Sequence, residues 1–274
     1  MVETALHWRR TGTGAPLVLL HGIGSSQDDF AALVPRLSAE HEVLTVSLPG
    51  HGQSAPLEVR PTVGALADLL ESDLDGLGLD RVDLLGNSLG GRVALELARR
   101  HRARSVVAIA PSGMGLPPER IYQALAIGGA RVALRRLRCL IRPLSEARAG
   151  RAFLLAGLRS RPGRASSVEA RAVAGGLAET TGFWRMLWWS VLIDLPTGMS
   201  NIDCPVVLAQ GTCDLLSGGQ TPRYLFLVPG SRFHPLLLAG HAPHSDTPDV
   251  IVRLVHQATQ AGRKRQYAHT DTHQ

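Results

Sequence analysis

Residues 82–91 read VDLLGNSLGG and run straight on into RVALELARRH. A short, continuous apolar run stops at a glycine–serine–glycine turn, and an apolar pattern of helical period begins directly after it. That is the signature of a buried strand feeding a helix through a very tight connection. Gly86-Asn87-Ser88-Leu89-Gly90 also fits G-x-S-x-G, in which a serine is forced onto a strained turn with its hydroxyl pointing out of the sheet. Small neighbours let strand and helix approach, and the helix aims its free N–H groups at the serine. Taken alone, the five residues suit a plain connection equally well, so the rest of the chain has to decide between them.

Outward from this turn the pattern repeats. PLVLLHG (16–22) is an apolar run ending in glycine, DDFAALVPRLSAEH has helical spacing, and EVLTVSLPG is a second strand. TVGALADLLESDLDGLGLD is helical by its leucines, and SVVAIAPSG follows the elbow helix as a further strand. Strand alternating with helix, with continuous rather than alternating apolar strands, predicts an α/β fold: a mostly parallel sheet with helices on both faces. Near Gly113 the alternation stops. A helix-like, arginine-rich stretch broken by Gly and Pro continues until CPVVLAQGTCD, FHPLLLAGH and the helix TPDVIVRLVHQATQ restore the pattern. The expected organisation is therefore a core of residues 1–112 and 200–262, a helical insertion over 113–199 after SVVAIAP, and a polar tail over 263–274. Only VETALHWRR precedes the first glycine turn, so a strand there is short or missing, and seven or eight strands are expected.

Composition narrows the function classes. With 274 residues, 45% of them apolar, the chain can bury one large core. Cys139, Cys204 and Cys213 are odd in number and lack metal-type spacing, which fits small buried thiols in a reduced, cytoplasmic protein. No signal pattern opens the chain and no apolar run is long enough to span a bilayer. The formal charge is +6, yet thirteen arginines against five acids give Gly113–Met199 a net of +8. The cationic surface thus belongs to the insertion. Its basic stretch 131–151 is either a solvated face over a buried leucine stripe or a landing site for an acidic carrier protein, an anionic lipid surface or an anionic substrate. No recognised nucleic-acid reading motif is present.

In open parallel sheets chemistry collects at the carboxyl ends of the strands. Four such ends carry suggestive residues. Besides the Ser88 elbow, His21-Gly22-Ile23-Gly24-Ser25-Ser26 can offer backbone N–H groups to a developing oxyanion: Leu89 N–H is one expected donor and Ile23 N–H the other, with Gly24 as a competing choice. No Lys-Ser/Thr follows, so this is not a nucleotide P-loop. Gly211-Thr212-Cys213-Asp214 and Gly240-His241-Ala242-Pro243-His244 supply an acid and an imidazole. The order Ser88, Asp214, His241 is that expected when the nucleophile sits on a G-x-S-x-G elbow. His21, His51 and His244 read as loop or support histidines, Asp203 precedes its strand, and Asp246 reads as the cap of the last helix.

With these motifs quoted, the chain resembles the α/β-hydrolase family over nearly its whole length. HGIGSS is similar to the family's oxyanion motif, LPGHGQS to its proline–glycine loop, GNSLGG to its nucleophile elbow, GTCD to its acid motif and GHAPHSDTP to its histidine motif. The resemblance implies that 113–199 is a cap over the active site. A serine at the elbow argues against haloalkane dehalogenases and most epoxide hydrolases, which place aspartate there. GNSLGG is similar to the elbow of carbon–carbon bond hydrolases, but Ala242 stands where that subgroup has tryptophan, and its Pro-Gly is missing from the oxyanion loop. The expectation is a serine hydrolase of carboxylic esters, lactones or thioesters acting on a small molecule through an acyl-enzyme, with no metal or organic cofactor required. Elimination, cyclisation, cofactor-free oxygen chemistry or carbon–carbon hydrolysis in the same pocket are alternatives, as is a binding protein with a vestigial triad. Trp184, Met186, Trp188 and Trp189, in FWRMLWWSV, either line a substrate pocket or anchor the cap to the sheet.

Overall fold

The structure is a computed structural model that describes residues 5–271. Seven strands form one sheet: β1 (His7–Thr11), β2 (Ala15–Leu20), β3 (His41–Ser47), β4 (Val82–Asn87), β5 (Ala103–Ile109), β6 (Val206–Gly211) and β7 (Arg232–Leu236), in the order β1-β3-β2-β4-β5-β6-β7. β1 runs antiparallel to β3 and every other pairing is parallel. The short first strand thus exists: HWRRT pairs by its backbone along an edge, which demands little of its side chains.

The sheet is covered on both faces, which is why its strands read as unbroken apolar runs. Along β2, Val18 and Leu20 pack with Leu44, Val46, Leu66 and Leu70, while Leu17 and Leu19 pack on the other face with Phe30, Leu85 and Ile251. The covering helices of the first half are α1 (Val34–Leu37), α2 (Val63–Gly76), capped by the Thr62 hydroxyl, and α3 (Leu89–Arg99). Between β5 and β6 lie the cap helices α4 (Pro117–Arg136), α5 (Arg138–Glu146), α6 (Arg148–Leu154), α7 (Ser167–Glu179) and α8 (Phe183–Met186), the last continued by a π-helical segment, Leu187–Ile193. α7 starts at a capping box in which Ser166 and Glu169 satisfy each other's backbone N–H. α9 (Gln220–Arg223) and α10 (Pro248–Asp271) complete the chain.

Two expectations differ from what is seen. Residues 263–271, expected as a tail, continue α10, because Gly262 does not stop the helix: it lets α10 approach the Arg104 carbonyl, from which a Cβ would lie 2.6 Å away. The two ends of the expected organisation, 1–4 and 272–274, lie outside the described residues. Of the three thiols only Cys204 is buried; Cys139 and Cys213 are exposed. Among the described residues no helix is long and apolar enough to cross a membrane.

The chain passes from β2 to β3 on one side of the sheet and then to β4 on the other. This reversal opens a crevice beyond the carboxyl ends of β2 and β4. His21–Ser26 leaves the first of these strands and Ser88 the second.

Candidate active site

Ser88 is held at φ 54° and ψ −115°, in the left-handed half of backbone space that a residue with a side chain rarely adopts. The glycines around it explain how the turn is tolerated. A Cβ on Gly90 would lie 2.0 Å from the Leu20 carbonyl oxygen, and one on Gly86 2.3 Å from that of Gly90. β2, β4 and α3 therefore meet with no room for a methyl group. The Ser88 N–H donates to Ile109 O at 2.8 Å, tying the elbow to β5.

His241 arrives on the loop after β7, and its Nδ1 lies 3.0 Å from Oδ2 of Asp214 in the turn after β6. A proton on Nδ1 donates to that carboxylate and leaves Nε2 as the ring's acceptor. Asp214 is itself well held: Oδ1 accepts the N–H groups of Leu216 and Ser217, both at 2.9 Å, and Oδ2 accepts the Ser217 hydroxyl. Burial pushes this carboxyl up, but His241 beside it and the hydrogen bonds from His241 and Ser217 outweigh burial, and it sits well below the usual carboxylate range. The Asn87 side-chain amide, next to the serine, donates to the His241 carbonyl at 3.0 Å and so ties the elbow to the histidine loop. Asn87 carries this role without any sequence signal beyond being the variable residue of the elbow.

The glycine-rich loop after β2 is fastened by two buried histidines. His21 accepts the Leu48 N–H on Nε2 at 3.0 Å, with Nδ1 2.8 Å from Gly22 O. His51 accepts the Gly24 N–H on Nε2 at 2.9 Å, with Nδ1 2.9 Å from Pro49 O. Each imidazole thus cross-links the HGIG loop and the LPGHG loop in its neutral form. Burial, reinforced for His21 by neighbouring His51, lowers their pKa values to about 3 and about 4. Asp203 is exposed, beside Arg81 and His101. Asp246, expected as a helix cap, instead accepts the backbone N–H groups of Ser160, Arg161 and Gly240. His244 is buried against Phe30, with ring centroids 4.7 Å apart.

Ser88 and His241 line one cavity of about 250 Å³, together with Ile23, Asn87, Ser25 and Asp29. Away from these polar groups its wall is apolar, formed by Ile127, Leu134, Leu154, Val173, Leu177 and Leu216. Tyr122 and Leu215 line it while remaining 52% and 70% exposed, so they mark its mouth. Of the four tryptophan-segment residues, none is on this wall. Met186 is buried in the main core, and Trp184 and Trp188 are 54% and 55% exposed. Trp189 lies beneath the Arg60 guanidinium at 4.9 Å. The segment anchors the cap instead: Arg185 donates to the carbonyls of Glu58 and Val59, and the Ser190 hydroxyl to that of Pro61. Its apolar face is turned to the core because the loop at 57–62 supplies carbonyls that its polar atoms can reach.

The arginines of the basic stretch are divided. Arg131 is buried and donates to the carbonyls of Leu177 and Thr180, and Arg151 to those of Ser145 and Glu146. Arg135, Arg136, Arg138 and Arg142 are exposed.

Comparison with known proteins agrees with this fold. The chain is 37% identical over 114 residues to the dihydrolipoyllysine-residue acetyltransferase component of an acetoin cleaving system from Pseudomonas putida, covering 40% of this chain and 31% of that protein. It is 48% identical over 84 residues to a pimeloyl-[acyl-carrier protein] methyl ester esterase of Neisseria meningitidis serogroup B, 30% of each. The chain spans about a third of the length of these curated relatives. An esterase from Rhodococcus sp. ECU1013 shares the fold at a TM-score of 0.74 and 24% identity, over 93% of this chain and 94% of that one. Residues 17–254 match the model of the alpha/beta hydrolase family, from the first parallel strand into the last helix, and the chain belongs to that family.

Proposed function

We propose that the protein is a serine hydrolase that cleaves a carboxylic ester or thioester of an apolar acyl group through an acyl-enzyme on Ser88. The observation that carries this reading is the 3.0 Å contact between His241 Nδ1 and Asp214, on a ring that shares an apolar-walled cavity with a serine in a strained turn. In this mechanism Nε2 of His241 takes the proton as Ser88 Oγ attacks the carbonyl and returns it to the leaving group. Asp214 keeps the imidazole in the required tautomer and balances its charge. The N–H groups of Leu89 and Ile23 receive the oxyanion. Leu89 opens α3 and has no intrahelical acceptor to lose, whereas the Gly24 N–H is already engaged by His51. Water then attacks the acyl-enzyme by the same route.

The apolar wall favours an acyl chain over a small polar lactone. The exposed Arg135, Arg136, Arg138 and Arg142 extend the reading to acyl groups presented on an acidic carrier, as in the name of the Neisseria relative. Labelling with a fluorophosphonate followed by peptide mapping tests the nucleophile: the modified peptide is expected to contain Ser88, and any other site overturns the assignment. Turnover in ¹⁸O-water tests hydrolysis, because elimination or cyclisation leaves the product unlabelled. A carrier role predicts that salt slows a carrier-bound acyl ester far more than the free ester.

A further inference from the structure

The loop that carries His241 runs from β7 to α10 with no regular structure of its own, and much of what orders it comes from the cap. Four consecutive cap residues, Leu158 to Arg161, are bonded to it. Leu158 O accepts the Ala242 N–H at 2.9 Å, next to the imidazole-bearing residue. The N–H groups of Ser160 and Arg161 each donate to the Asp246 carboxylate at 2.9 Å, and that carboxylate also takes the Gly240 N–H at 2.9 Å. Between these backbone contacts the Arg159 side chain, fully buried, donates to the Ser245 hydroxyl. The fit is close: a Cβ on Gly240 would lie 2.5 Å from the Leu158 carbonyl oxygen.

Arg159 shows that this edge is built to stay shut. An arginine keeps its charge at any working pH, so complete burial requires carboxylates around it. It has one from each side of the junction: Asp29 from the core, in the cavity wall beside Ser25, and Glu169 from α7 of the cap at 3.0 Å. Lifting the cap at this edge would separate Arg159 from Asp29 and leave that buried carboxylate without its cation, since Glu169 travels with Arg159 in the cap.

We propose that the strap Leu158–Arg161 positions His241, with Arg159 and Asp246 as positioning residues, so that the histidine is in place only while this edge of the cap is seated. This rests on the role assigned above to His241. Asn87 holds the loop from the core through the His241 carbonyl, and the strap holds it from the cap on either side of the ring.

The test compares Asp246→Ala, Arg159→Met, Arg159→Lys and Ser245→Ala in the full chain. It uses kcat and KM on p-nitrophenyl butyrate, the low-field proton NMR resonance of His241 Nδ1–H (identified by its absence in His241→Ala), and Tm. Asp246→Ala and Arg159→Met are expected to lower kcat at least tenfold with KM within about twofold, and to broaden or erase the resonance in folded protein. Arg159→Lys is expected to recover part of both, and Ser245→Ala to show a smaller loss. Folded variants that keep kcat within twofold and a sharp resonance overturn the proposal, whatever happens to Tm. Should Arg159→Met fail to fold, Asp246→Ala and Ser245→Ala still decide. The resonance needs no turnover, so a parent protein inactive on esters would count against the proposed function while the strap is judged on the NMR comparison alone.

Discussion

The backbone N–H of Gly24 donates to Nε2 of His51 across 2.9 Å, joining the glycine loop after β2 to the loop after β3. The imidazole spends its other nitrogen on Pro49 O, so it is used at both ends in the neutral form. Replacing it, His51→Ala, leaves the buried Gly24 N–H without an acceptor. A buried donor left unmade costs about 1–3 kcal/mol. The expected result is a matching loss in urea-unfolding free energy, with kcat reduced because Ile23 is the next residue along the same loop. A His51→Ala protein with parental stability would show that the bond contributes nothing.

Ser88 separates strain from chemistry. At φ 54° and ψ −115°, glycine is at ease where serine is not. Strain of this kind is worth on the order of 1–3 kcal/mol. Ser88→Gly is therefore expected to unfold at higher urea or temperature than the parent while losing activity. Ser88→Ala and His241→Ala are each expected to cut kcat by up to about 10⁶, the scale of a comparable triad. Near-normal turnover in either variant removes that residue from the mechanism.

Acid should destabilise the fold through its neutral histidines. His21 and His244 are lowered to about 3 by burial, with His51 and Arg159 respectively adding to it, and His51 is lowered to about 4 by burial. The unfolded chain binds protons at these sites near pH 6.5 and the folded protein does not. Their contribution is complete above pH 6.5 and is lost as pH falls toward 4 and 3. Each group adds a slope of about 1.4 kcal/mol per pH unit in that window. Urea unfolding at pH 7, 6 and 5 checks this, and equal stability at the three values would contradict it.

In the proposed mechanism the cavity wall limits acyl length. Ala126 lies on α4 along the wall between Tyr122 and Ala130. Ala126→Phe is expected to occupy space that an acyl chain would use. Each methylene no longer buried forfeits about 0.8 kcal/mol, so two of them reduce kcat/KM for an octanoyl ester roughly tenfold relative to acetyl. A p-nitrophenyl ester series gives the comparison, and an unchanged chain-length preference would place the acyl chain elsewhere.

The parts legible in the sequence were those whose physics is local. Continuous apolar runs in 16–20 and 82–87 announced strands covered on both faces. The glycines around Ser88 announced a turn too tight for side chains. GTCD and GHAPH stood at strand ends, and a parallel sheet puts strand ends on one side. Those patterns sufficed to nominate Ser88, Asp214 and His241 and to place a helical insertion between two strands.

Tertiary structure decided everything that depends on which distant surface a side chain meets. The tryptophans of 183–191 could line a pocket or anchor a cap, and the choice fell to carbonyls of the loop at 57–62. Asp246 sits where helix caps sit, yet its carboxylate is taken by backbone N–H groups of Ser160 and Arg161 in the cap and of Gly240. Asp29 and Arg159, separated by 130 positions, form a fully buried ion pair beside the loop that carries His241, and no spacing rule relates them. Sequence periodicity records whether a residue is to be buried; the partner that compensates its charge or hydrogen bonds is settled only when the chain is packed.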